Sequence, residues 1–134
     1  MFGSDCGEDA AATLAHARRV VIKVGSSSLA RPDGHLSVAK LHTLVEALVA
    51  YAKEGHQVVL VSSGAQAAAM GPLGLKTKPR TLAGAQAAAS VGQGLLIAEY
   101  TRAFGTFGLQ VGQVLLTAED VLRRNQYNNE RRAL

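Results

Sequence analysis

Two runs of β-branched residues with one amphipathic helical pattern between them leave this chain few ways to fold. Val20-Val21-Ile22-Lys23-Val24 and Val58-Val59-Leu60-Val61 are short, continuous and apolar apart from one lysine, as strands buried on both faces of a parallel sheet read. Between them Val38, Leu41, Val45, Leu48, Val49 and Ala52 recur at helical spacing. Ser37 stands where an N-cap is needed, and Gly55 follows Lys53-Glu54 as a stop. Strand, helix and strand joined by short connections make a βαβ unit. That unit sets the two strands parallel and brings both of their C-terminal loops to one edge of the sheet.

The two loops match in composition: Gly25-Ser26-Ser27-Ser28 after the first strand and Ser62-Ser63-Gly64-Ala65 at the end of the second. Open α/β sheets bind ligands beyond the carboxyl ends of their strands. Glycine lets backbone approach an anionic oxygen without Cβ interference, and the serines add hydroxyl donors. A single serine-glycine turn is a common connector, but two at matching ends of consecutive strands point to one anion site. Lys23 is the anomaly of the first run, because an unpaired charge buried in a sheet is costly. It serves either as a cationic clamp on a phosphoryl group or as a sheet-edge lysine with its ammonium in water.

Other chemistries find less support. The Walker A pattern is absent, since Lys23 precedes its glycine, and no Gly-x-Gly-x-x-Gly follows either strand. No Gly-x-Ser-x-Gly elbow surrounds Ser63, and no carboxylate in the sequence evidently orients His16, His35, His42 or His56, which argues against serine hydrolysis. No Cys/His spacing suggests a metal site. The single Cys6 excludes an internal disulfide and fits a reducing compartment. The net charge is +4 and the arginines crowd Arg123, Arg124, Arg131 and Arg132, but without Trp or an aromatic ladder this reads as a solvated helix face, or as a surface meeting the remainder of a longer protein, rather than a nucleic-acid platform. The uncharged stretch from Gly55 to Leu75 and the Thr81 to Ala98 run are too rich in Gly, Ala, Ser and Gln to read as membrane spans.

Residues 1–18 read as a disordered leader, with Asp5, Glu8 and Asp9 where a secretory signal would be basic. Arg31-Pro32-Asp33-Gly34 and Met70-Gly71-Pro72-Leu73-Gly74 read as turns. The run Ala65 to Ala69 opens a helix, and a longer helix is expected from Thr81 to Phe104, with Gly92 and Gly94 inside it marking a kink or a close backbone contact. Leu109 to Leu116 reads as a third strand, and Thr117-Ala118-Glu119-Asp120 as the capped start of a last helix.

From about Arg19 onward the sequence resembles the N-terminal part of the glutamate-phosphorylating members of the amino-acid kinase family. The resemblance rests on Val-Ile-Lys-Val-Gly-Ser-Ser at Val21 to Ser27, Val-Ser-Ser-Gly-Ala at Val61 to Ala65, Gln-Ala-Ala-Ala-Ser-Val-Gly-Gln at Gln86 to Gln93, and Val-Gly-Gln-Val-Leu-Leu-Thr at Val111 to Thr117. The first motif is shared across the wider family; the other three, in this order and spacing, are more specific. The resemblance implies an α/β fold, a three-layer αβα sandwich on a mainly parallel sheet, with residues 19–134 its incomplete N-terminal half. It implies transfer of the γ-phosphoryl group of ATP, with Mg²⁺, to the side-chain carboxylate of glutamate, at the head of proline biosynthesis in the cytoplasm.

Carried over by position, Lys23 would contact ATP phosphate and act in catalysis, Gly25 and Ser26 would line the phosphoryl site, and Ser63, Gly64 and Ala65 would hold glutamate. Such enzymes are expected to be homo-oligomers at full length, with no membrane or nucleic-acid partner from this segment. The family usually has an aliphatic residue at Gln66, a glycine at Ala69 and a lysine at Ala85. Its catalytic aspartate, second phosphate-contacting lysine, nucleotide-binding half and frequent PUA domain are expected beyond Leu134, so the chain alone should bind ATP weakly or not at all. Two alternatives stand beside this reading: another kinase of the same fold, or a non-catalytic remnant that binds glutamate or a partner chain.

Overall fold

Val/Ile-rich segments become strands only when their backbone groups find partners, and here the partners are each other. The computed structural model describes residues 12–115. Strand β1, Arg19–Val24, pairs in parallel with β2, Gln57–Ser62, placing Ile22 beside Leu60, Lys23 beside Val61 and Val24 beside Ser62. Helix α2, Val38–Lys53, crosses between them, so the βαβ unit is present. Its N-terminus is capped by the Ser37 hydroxyl, which accepts from the Lys40 amide at 3.3 Å. Its end is turned by Gly55, at φ 97°.

The first serine loop is more ordered than its composition suggests: Ser26–Leu29 forms a single helical turn, α1. It leads to an antiparallel bridge between Ala30 and Leu36 that closes the Arg31-to-Gly34 turn. Asp33 fastens that turn, accepting from the Arg31 guanidinium at 2.7 Å and the His35 amide at 3.1 Å. After β2 come α3, Ala65–Met70, and the long α4, Leu82–Gly105, which Thr81 caps through the Gly84 amide. Gly108, at φ 73°, lets the Leu109 amide fold back onto the Phe104 carbonyl and close α4.

Ile22, Val24 and Leu60 share one apolar cluster with Leu41, Val45 and Val49 of α2 and with Leu96, Tyr100 and Ala103 of α4. Both long helices therefore cover the same face of the sheet. Val21 and Val61, on the other face, are 64% and 50% exposed. The expectation of strands buried on both sides is thus met on one side only, and two of the three layers of an αβα sandwich are seen among the described residues.

Leu109 to Leu115 is a second departure, for its backbone pairs with neither strand and it is irregular. Apolar residues such as Leu109, Val111 and Val114 permit a strand, but only a neighbour's hydrogen bonds make one. Residues 12–16 are helical, and the Leu14 carbonyl accepts from the Tyr51 hydroxyl at 2.5 Å. The capping box at Thr117 and the arginine cluster lie outside the described residues. No helix among the described residues is long and apolar enough to cross a membrane.

Candidate active site

The strand order brings the two serine loops side by side, and Ser63 joins them. Its amide donates to the Val24 carbonyl at 3.0 Å and its hydroxyl to the same oxygen at 3.1 Å. The last residue of β1 is thereby tied to the first residue of the second loop. Ser63 Oγ retains its lone pairs as acceptors, and its proton is directed at a backbone carbonyl rather than at a base. That geometry weighs against a serine nucleophile. Gly64 follows at φ 127°, a conformation that L side chains rarely adopt, and opens α3 at Ala65.

On the other side of the site, Gly25 has an ordinary φ of −76°. A Cβ added there would meet only Ser27 Oγ, at 3.9 Å. Nothing among the described residues requires this glycine, and the space a Cβ would fill is open to a ligand oxygen. Ser26, beside it, is exposed. Lys23 is exposed too, on the uncovered sheet face with Val61, and makes no hydrogen bond or ion pair with the described residues. A lysine within a Val/Ile run is either a charge taken into the sheet or a sheet-edge residue with its ammonium in water. Here it is not buried, because the face it occupies carries no helix among the described residues.

Helix α4 braces the second loop at Tyr100, which the motifs do not include, and at Gly92, which they do. Tyr100, 4% exposed, places its hydroxyl 2.7 Å from Ser62 Oγ, and Ser62 Oγ donates in turn to the Ser63 carbonyl at 3.1 Å. Burial pushes the Tyr100 phenol above its ordinary pKa, while the Ser62 hydrogen bond acts in the opposite direction. At Gly92 a Cβ would stand 1.6 Å from the Ala65 carbonyl oxygen and 3.1 Å from Ala69 Cβ. Here the expected close backbone contact is found. Gly94 has nothing within 4 Å and shows no such need. Gln66, where the family usually carries an aliphatic residue, donates weakly to the Ala85 carbonyl at 3.4 Å and so has a structural bond.

Two histidines do have carboxylates near them, contrary to the sequence reading. His35 Nδ1 lies 3.3 Å from Asp33 Oδ1, and His56 Nε2 lies 4.0 Å from Glu54 Oε2. Neither histidine has a hydrogen bond to a site serine. No group of three His, Cys, Asp or Glu side chains converges to hold a metal among the described residues. A cavity of about 590 Å³ beside Leu73 to Arg80 and one of about 280 Å³ between Arg31 and Glu99 include none of Lys23, Gly25, Ser26, Ser63, Gly64 or Ala65. Among the described residues the candidate site is an open ledge at the strand ends.

Residues 18–134 match the amino acid kinase family. The chain is 56% identical over 123 residues to a glutamate 5-kinase of Thermobifida fusca (strain YX), covering 92% of this chain and 32% of that protein. It is 60% identical over 118 residues to a glutamate 5-kinase of Frankia casuarinae, covering 88% and 31%. A third relative, the glutamate 5-kinase of Bifidobacterium animalis subsp. lactis, is 54% identical over 127 residues, covering 95% and 34%. The chain spans about a third of the length of these curated relatives.

Proposed function

The chain belongs to the amino acid kinase family, and on that premise we propose that it forms part of an enzyme that transfers the γ-phosphoryl group of ATP to the side-chain carboxylate of glutamate. This is the first step of proline biosynthesis. The observation that most supports the assignment is the pair of hydrogen bonds from the Ser63 amide and hydroxyl to the Val24 carbonyl, which holds the amino-acid loop against the phosphate loop.

Both substrates are anions, and bringing a carboxylate against a polyphosphate requires cations and donors between them. ATP, when bound, supplies the phosphoryl group; Mg²⁺ is part of the proposal and enters with the nucleotide. Lys23 is free to balance phosphate charge, Gly25 leaves room for a phosphate oxygen, and Ser26 offers a hydroxyl beside it. Ser63, Gly64 and Ala65 receive the glutamate. The proposal places the protein in the cytoplasm as a homo-oligomer at full length. The described ledge is one wall of the site, so the 134-residue chain alone should release no ADP.

The test joins this chain to the remaining two thirds of the Thermobifida fusca relative and measures glutamate-dependent ADP release. Activity is expected, with K23A lowering turnover roughly 10²–10³-fold and Ser63→Ala chiefly weakening glutamate. Untouched turnover in K23A would return Lys23 to a solvated strand-edge role.

A further inference from the structure

We propose that Tyr100 and Gly92 of α4 are positioning residues for the amino-acid loop, acting through Ser62 and Ala65 to set where Ser63, Gly64 and Ala65 meet the substrate carboxylate. The inference rests on the assignment of that loop to glutamate made above.

The first contact is directional. Ser62 has one hydroxyl proton, and it points to the Ser63 carbonyl at 3.1 Å. Either hydroxyl can donate across the 2.7 Å between Tyr100 and Ser62 Oγ, and with the Ser62 proton on the Ser63 carbonyl the donor is Tyr100. A chain of two hydrogen bonds thus runs from the helix to the Ser63–Gly64 peptide and fixes the orientation of its carbonyl. The amide of that same peptide belongs to Gly64, whose φ of 127° depends on how the peptide is turned.

The second contact is steric. With no side chain at Gly92, the Ala65 carbonyl sits where a Cβ would stand, 1.6 Å from that position. Any larger residue must push α3 from α4 and carry Ala65 with it. The helix therefore holds the loop at both ends, by a hydroxyl at Ser62 and by close backbone approach at Ala65.

Neither contact touches the phosphate side, so the consequence is specific. In the joined enzyme described above, Tyr100→Phe should raise KM for glutamate roughly 2–10-fold, the range for one lost hydrogen bond. KM for ATP and kcat should change less than twofold. Ser62→Ala should match it, the double variant should be no worse than either single one, and Ser62→Thr, which keeps the hydroxyl, should restore the parent value. Gly92→Ala should raise glutamate KM more than Tyr100→Phe does.

Because Gly92→Ala can fail to fold, hydrogen exchange in the 134-residue chain provides a second reading. Tyr100→Phe should speed exchange at Gly64 and Ala65 several-fold while leaving the Leu41-to-Val49 amides of α2 unchanged. Acceleration spread evenly over the fold would make Tyr100 an ordinary core residue. So would a Tyr100→Phe enzyme that loses glutamate and ATP affinity alike. An unmodified joined enzyme that ignores glutamate would sink the substrate assignment, and loop exchange unaffected by Tyr100→Phe would sink the positioning role.

Discussion

Gly25 and Gly64 look equivalent in the sequence and differ in the structure. At Gly64 the backbone needs a positive φ of 127°, so Gly64→Ala should destabilise the chain by roughly 1–2 kcal/mol, measured by urea unfolding. Gly25 has an ordinary φ and open space around it. Gly25→Ala should leave stability unchanged or raise it by up to about 1 kcal/mol, while impairing phosphoryl transfer in the joined enzyme if ligand approach is its purpose. Asp33 offers a residue-scale test of another kind. The Arg31 guanidinium, followed by the His35 amide, lowers its pKa from 3.8 to about 2. A depressed carboxyl pKa favours the fold above the unfolded value and ceases to do so as pH falls through the folded one. The stability difference between the parent and Asp33→Asn should thus be present above about pH 4 and fade as pH falls through about 2; a difference that does not shrink across that range would contradict the role of the charge.

Elements were legible where a local rule sufficed. Ser37 and Thr81 sit at helix starts because a hydroxyl there satisfies an amide the helix leaves open, and both do so. Replacing either with alanine should cost about 1 kcal/mol, read from thermal or urea unfolding. The periodic face of α2 was also readable: Leu41, Val45, Leu48 and Val49 are all buried. Its ends depart from that pattern, with Val38 46% exposed, because a stripe predicts a direction and the neighbouring helix decides how far the cover extends. The stretch from Leu109 shows the limit of local reading. Its apolar residues suit a strand, yet a strand is a property of two segments, and no described partner lies beside it.

At the scale of the whole molecule, the one-sided sheet divides mutations into two groups. Leu41 is fully buried in the cluster that the sheet, α2 and α4 share, so Leu41→Ala should cost about 2–5 kcal/mol. Val61→Thr, on the uncovered face, should stay within about 0.5 kcal/mol in the 134-residue chain. Equal losses at the two positions would mean that the open face is covered in solution.

Sequence alone determined the βαβ unit and the meeting of the two serine loops, because these follow from residue periodicity, caps and the short reach of the connections. It also exposed Gly92 as a helix glycine in need of a reason. Only the tertiary structure supplied that reason, the Ala65 carbonyl lodged against α4, together with the Tyr100–Ser62–Ser63 chain and the exposure of Lys23. Those depend on how α4 lies across the sheet, and packing between segments distant in sequence leaves no periodic signal to read.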